Sequence, residues 1–372
     1  MQSRLPSHVM RAEQGCRSGR APVVLISPSA APAQRHLYLI FDDGRPSTVD
    51  AAGATRDGTI DRTALPPPPA IFRVEAPCGL PTCFAAAFGG KIMALHPREI
   101  DGVPVPFASD RLVPVFDVRL RPLSFGPRPA ADRAEPVYIP VGGKLAAGSF
   151  ELLDAPSLRP PGFELFDPWR QLRGPPFESK HVTSYAVHPD GRTIFVSVDP
   201  ADAPDAAATF SFDTAATDGG GEWRRNGQWT LPFTGRAHFD RELDAWVGLS
   251  RDPDTVGHLC CCDVLPAAGD DGTQRPARQR KLSVEKLFTD DPAETHVGAT
   301  VVYVGGWSNF CLVQCVAVEN NSKKDSRPSR HLLRVVSFYL RYDMDGNLRI
   351  GSCRLVRYYR VPKAATELVL KN

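Results

Sequence analysis

Residues 184–198 read SYAVHPDGRTIFVSV. Apolar and small polar residues alternate on either side of Pro189-Asp190-Gly191, the pattern of two half-buried strands joined by a tight turn. The ring of Pro189 fixes its φ, Gly191 accepts a positive φ without steric cost, and Asp190 is able to accept backbone hydrogen bonds within the turn. His188 is thereby read as a rim residue beside a turn and not as a catalyst.

The same grammar extends outward in both directions. HLYLIF, TCFAAAF, KIMALH, VPVFDV, PVYIPV, TFSFD, DAWVGL, TVVYV, FCLVQCVAV and VVSFYLRY are short runs rich in Val, Ile, Phe and Tyr, separated by Gly, Pro and Asp. Helical periodicity is missing, apart from a short helical turn expected near residues 283–288. The 30 glycines and 36 prolines fit many short elements joined by turns. The chain is therefore read as all-β.

An internal repeat refines that reading. FGGKIMALHP (residues 88–97) leads to VFDV (115–118), and VGGKLAAGSF (141–150) leads to LFDPW (165–169). Gly89-Gly90 and Gly142-Gly143 are placed at hairpin corners, where positive φ is needed. The aspartate after the aromatic, Asp117 or Asp167 here, recurs as Asp213 in FSFDT and as Asp263 in CCDV. Such regular recurrence favours a turn or packing role over catalysis.

A period of about forty to seventy residues suits four short strands per unit, the size of a propeller blade. Six units are expected, beginning near residues 36, 71, 136, 182, 236 and 296. Seven blades is the alternative count. The expected organisation is a disordered tail over 1–35, a β-propeller over 36–363 and a C-terminal tail over 364–372.

Charge and cysteine content narrow the function classes. With 44 basic and 42 acidic residues in 372, the net charge is +2, which offers no field to draw nucleic acid or an anionic membrane as the main partner. No run reaches the ~18 apolar residues of a membrane helix. Nine cysteines, an odd number without a regular framework, suit reduced thiols in the cytoplasm or nucleus. Arg4, Arg11, Arg17 and Arg20 against the single acid Glu13 leave organelle targeting as an alternative for the tail.

The remaining constellations point away from chemistry. Cys260-Cys261-Cys262 beside His258 cannot all face one ion, because side chains alternate along a strand. Cys311 and Cys315 share a face but stand about 13 Å apart. In YDMDGN the calcium-loop register fails, and Asp345-Gly346 reads as a turn corner. The GGK groups lack the spacing of a phosphate loop, and Gly-x-Ser-x-Gly is missing. The basic stretches RPARQRK (275–281) and SKKDSRPSR (322–330) read as solvated loops. No catalytic residue, metal or cofactor is expected.

The two GGK groups, with Asp117, Asp167, Trp169 and Gly174-Pro175-Pro176, resemble degenerate kelch repeats. Through YIPVGGKL, VTSYAVHPDGRTIFVS, FSFDT, LPFTGRAHFD, LDAWVGLS, GHLCCCDV and HVGATVVY, the chain resembles a plant family, abundant in grasses, known as domain of unknown function 1668. The resemblance implies a propeller and no activity. Leu5-Pro6-Ser7-His8-Val9 is similar to the start of an F-box, but no room for that domain is expected before the first strand.

Because rigid propellers present variable loops, the expected function is non-catalytic recognition of another protein by a monomer. The kelch likeness favours the rim of second-to-third-strand and between-blade loops, with His96, Arg98, Arg236 and His238 as candidate contacts. A small-molecule or carbohydrate enzyme at the channel mouth is the alternative.

Overall fold

The computed structural model describes residues 9–11, 23–28, 34–40, 70–75 and, with gaps, 83–360. The described residues are strands and turns, with three-residue 3-10 turns at Ser179–His181, Pro204–Ala206 and Pro253–Thr255. Among them, no helix is long and apolar enough to cross a membrane. The fold is all-β.

The first sheet joins β1 (Val9–Arg11), β2 (Val23–Pro28), β3 (Gln34–Ile40) and β4 (Ala70–Glu75) in sequence order. The second is built from β5 (Cys83–Ala87) and β6 (Lys91–Leu95), then, after the small pair β7 (Glu99–Ile100) and β8 (Val103–Pro104), from β9 (Leu112–Asp117) and β10 (Leu123–Pro127). The third contains β11 (Tyr138–Val141), β12 (Lys144–Ala147) and β13 (Glu151–Leu153). An inserted hairpin of β14 (Ser157–Arg159) and β15 (Phe163–Leu165) separates these from its last strand, β16 (Arg170–Gln171).

Next come β17 (Val182–Val187), β18 (Thr193–Val198), β19 (Ala208–Asp213) and β20 (Arg224–Gly227). They are followed by β21 (Phe233–Asp240), β22 (Ala245–Ser250), β23 (Leu259–Asp263) and β24 (Arg280–Leu282). These two meanders form one eight-stranded sheet, because their first strands, β17 and β21, pair in parallel. The last sheet holds β25 (Glu294–Gly305), β26 (Asn309–Val318) and β27 (Arg330–Tyr342). Both β28 (Leu348–Ile350) and β29 (Leu355–Arg360) pair with β27.

The chain divides into two compact units, one of Met1–Arg11, Cys16–Gly79 and Val284–Asn372, the other of Ala12–Gly15 and Leu80–Ser283. In the second unit each sheet shares a core with the next. Met93, Val113 and Val115 of the second sheet pack with Leu145 and Leu153 of the third. From the opposite face of the third, Ile139, Ala146 and Leu152 meet Ile194, Val196 and Phe210 of the β17–β20 meander. Phe195 and Ala186 then meet Phe233, Ala237 and Trp246 of the β21–β24 meander.

Burial on both faces explains why second strands read as unbroken apolar runs: every residue of β6, β18 and β22 is buried. In the other unit, the last sheet carries a cluster of Val304, Cys311, Val313, Leu333, Val335 and Tyr359, and a smaller one of Val316, Leu332 and Tyr358.

Several expectations change. β1 and β2 lie within residues 1–35, the expected disordered tail. They are short, and their strand state comes from pairing with each other and with β3. Residue 71 does not open a unit; β4 closes the first sheet against β3. The four later sheet starts fall within three residues of those expected. Residues 283–288 hold bends rather than a helical turn, with Val284 N–H donating to the Leu348 carbonyl. The expected C-terminal tail over 364–372 lies outside the described residues.

Candidate functional site

In a four-stranded meander, the first-to-second and third-to-fourth turns lie at one end of the sheet, and the chemistry of the second unit concentrates there. The opening stretch is one such corner: β17 and β18 pair from Val187 opposite Ile194 backward. Gly191 has φ +71°. Asp190 Oδ1 accepts the N–H groups of Arg192 and Thr193, each at 2.9 Å, and Oδ2 accepts the Thr193 hydroxyl at 2.7 Å. Burial pushes this carboxyl up, but the hydrogen bonds from Thr193 and Arg192 outweigh it and hold it at about 2. The Asp190 N–H donates to His188 Nδ1 at 3.1 Å. His188 therefore buttresses a turn.

Gly142 and Gly143, at φ +53° and +74°, form the corresponding corner of the third sheet. The two corners touch, since a Cβ on Gly142 would lie 2.1 Å from the Gly191 carbonyl oxygen. Gly90 donates to the Ala87 carbonyl in the second sheet's corner, whereas Gly89 lies outside the described residues.

The recurring aspartate is explained by register. Lys91 stands opposite Asp117 and binds it at 2.9 Å, while Asp117 Oδ1 also accepts the Leu120 N–H. In the next sheet the matching pair is Lys144 with Asp154, at 3.5 Å, and not Asp167. Asp167 follows the inserted β14–β15 hairpin and is exposed. Asp213 stands opposite Thr193 and lies 3.5 Å from Arg192, and Asp263 stands opposite Ala245. The repeated acid thus closes the end of the third strand against the first hairpin.

The candidate contacts fall differently. Arg236 and His238 lie inside β21, which starts at Phe233, so neither occupies a loop. Arg236 is half-buried at a register irregularity beside Gly235 (φ +71°), opposite Tyr185 in the parallel pair, and His238 is buried. His96 and Arg98 lie outside the described residues.

Exposed apolar residues were the signal that sequence reading missed. Among the described residues the most exposed large ones are Met344 (104%), Trp307 (85%) and Leu120 (77%). Leu120 sits between β9 and β10, Trp307 between β25 and β26, and Met344 between β27 and β28. Each is at the hairpin-bearing end of its own sheet.

Trp307 and Ser308 have φ of +54° and +52°, a left-handed backbone that costs a non-glycine residue roughly 1–2 kcal/mol. Neighbouring contacts retain it: Asn309 Nδ2 donates to the Gly306 carbonyl, and Leu340 N–H donates to the Ser308 carbonyl at 3.0 Å. Nearby, Asp343 Oδ1 accepts the N–H groups of Asp345 and Asn347, which makes YDMDGN a turn.

Cys260, Cys261 and Cys262 are buried free thiols, as are Cys311 and Cys315. Burial pushes Cys260 and Cys315 up to about 12 and Cys262 further still. Cys260, Cys262 and Cys315 are thus core residues without thiolate character at neutral pH. Among the described residues, no group of three or more His, Cys, Asp or Glu is placed to hold a metal ion.

The profile of the family described as "Protein of unknown function (DUF1668)" matches residues 34–358. The chain belongs to this family. Membership in DUF1668 carries no described activity, and no curated protein matches the chain. Among solved structures, the chain is similar to the crystal structure of an ancestral GH74 enzyme, with 11% identity and a TM-score of 0.36. The match covers 89% of this DUF1668 chain and 46% of the other, so the chain spans less than half the length of that structure.

Proposed function

We propose that this protein is a kelch-like β-propeller of six blades that recognises another protein, without catalysis, through the hairpin-bearing ends of its sheets. Six successive meanders, consecutive shared cores and the parallel pairing of β17 with β21 support the architecture.

The observation that carries the function is Trp307, a large aromatic side chain held in solvent on a strained hairpin tip. Protein-binding hot spots are enriched in Trp, and single exposed Trp residues on strained backbone are costly to keep without use. The interaction is accordingly assigned to the end of the last sheet that carries Trp307 and Met344, the opposite end of a sheet from the one favoured by the kelch likeness.

Affinity capture from grass tissue tests this reading. Trp307→Ala combined with Met344→Ser should remove partners that the unmodified chain retains, whereas His96→Ala with Arg98→Ala should leave them bound. The reverse pattern would transfer the interaction to the other rim and end the proposal.

A further inference from the structure

The second sheet ends on an edge unlike those of its neighbours. Its strand order is β10-β9-β6-β5, so among the described residues β10 pairs with β9 and with no further strand. The closing strands of the next three meanders carry cations: Arg170 in β16, Arg224 and Arg225 in β20, Arg280 and Lys281 in β24. Such charges oppose pairing with another strand. β10 reads LSFGP and carries none.

Register determines which backbone groups this edge presents. Asp117 N–H donates to the Pro122 carbonyl, and hydrogen-bonded pairs alternate along an antiparallel ladder, so Ser124 and Gly126 bond Val115 and Val113. Leu123 and Phe125 fall between them and aim their N–H and C=O groups away from β9. Pro127, the next residue in that phase, has no N–H, and its carbonyl accepts Trp169 Nε1 at 2.9 Å. The side chains of Leu123 and Phe125 share one face and are 45% and 57% exposed. Backbone donors and acceptors at strand spacing, flanked by apolar side chains, fit an extended polypeptide.

The strand is complementary to itself. Set antiparallel to a second copy about a twofold axis at Ser124, it places Leu123 opposite Phe125 of that copy, and Phe125 opposite Leu123. Both become hydrogen-bonded pairs, so every outward N–H and C=O of the two residues is used, and each Leu meets a Phe across the strands. An axis at Leu123 would pair Phe125 with Arg121, outside the strand. One at Phe125 would pair Leu123 with Pro127, which lacks an N–H and whose carbonyl is already taken.

We propose that β10 docks a second copy of this chain by antiparallel edge-to-edge pairing centred on Ser124, joining two four-stranded sheets into one. A contact of five residues a side is smaller than the ~1,200 Å² of a stable interface, so the dimer is weak, with Kd on the order of 0.1 mM. The inference does not depend on the function assigned to Trp307.

Amide hydrogen exchange of the full chain at ~20 µM and ~500 µM, with sedimentation equilibrium over the same range, tests the pairing. The Leu123 and Phe125 amides should exchange about threefold more slowly at the higher concentration, whereas those of Ser124 and Gly126, bonded to β9, should be protected at both. Phe125→Lys, which sets a cation beside the apolar pair, should weaken association roughly tenfold or more. Leu123→Pro should do the same, since it removes an outward N–H and spares the bonds to β9. Trp307→Ala should leave association unchanged.

A monomer at the higher concentration would overturn the proposal. So would protection of the Leu123 and Phe125 amides at both concentrations, the mark of an edge covered within one copy, or a dimer that survives both β10 variants or is lost in Trp307→Ala. The exchange measurements on the unmodified chain do not depend on any variant folding.

Discussion

Replacing Gly142 and Gly143 separately by alanine measures the contact between successive hairpin corners. Both glycines have positive φ, +53° and +74°, so each alanine pays the same left-handed penalty of about 1 kcal/mol. Their surroundings differ. A Cβ on Gly143 meets nothing within 4 Å, whereas one on Gly142 lies 2.1 Å from the Gly191 carbonyl oxygen, against an ordinary contact of 3.4 Å.

That carbonyl belongs to the same peptide as the Arg192 N–H, which donates to Asp190 Oδ1. Moving it by more than ~1 Å both strains the corner and breaks a bond of the Asp190 turn, adding roughly 1–3 kcal/mol as overpacking does. G143A is therefore expected to lose about 1 kcal/mol and G142A about 3 kcal/mol. In thermal melts these correspond to roughly 3 °C and roughly 9 °C.

Urea denaturation followed by tryptophan fluorescence gives the midpoints, with far-UV circular dichroism as a check on the fold. G142A and D190A should also combine less than additively, because both disturb the same turn. Equal losses for G142A and G143A, or full additivity with D190A, would refute the corner-to-corner contact.

Two further expectations follow from ionisation and burial. Asp190 is held at about 2, below its unfolded value near ~3.9, so its contribution is fully present above about pH 4 and is lost as pH falls through the folded value. D190A should cost about 1 kcal/mol at pH 7, allowing for screening at a partly exposed turn, and the gap from wild type should close near pH 2; a gap unchanged by acid would contradict the hydrogen-bonded carboxylate. Cys260, Cys262 and Cys315 should resist iodoacetamide at pH 7.5 in the folded protein and be modified only in denaturant, as read by peptide mass mapping; fast native labelling would show that they are not core thiols.

The hairpin corners were legible because turn chemistry is local. Gly142-Gly143 and Asp190-Gly191 announce themselves by residue type, and the flanking alternation supplies the strands. The repeated aspartate was legible as a repeat but not in its alignment. Phe166-Asp167 imitates Phe116-Asp117 in letters, yet it exits an inserted hairpin, and the ladder register assigns the role to Asp154. Arg236 and His238 were misplaced for a similar reason: the proline before Phe233 looks like a loop, while pairing with β22 starts the strand there.

The strand content, the all-β class and the corners of the meanders follow from the sequence alone, since alternation, β-branched residues and Gly or Asp turns act over a few neighbours. Which strand closes one sheet and which opens the next, as at β4 and β5, was decided by pairing across many residues. So were the burial of second strands on both faces and the exposure of Trp307. Each of these depends on what the opposite strand or the next sheet brings, and that partner is set by tertiary packing and register rather than by adjacent letters.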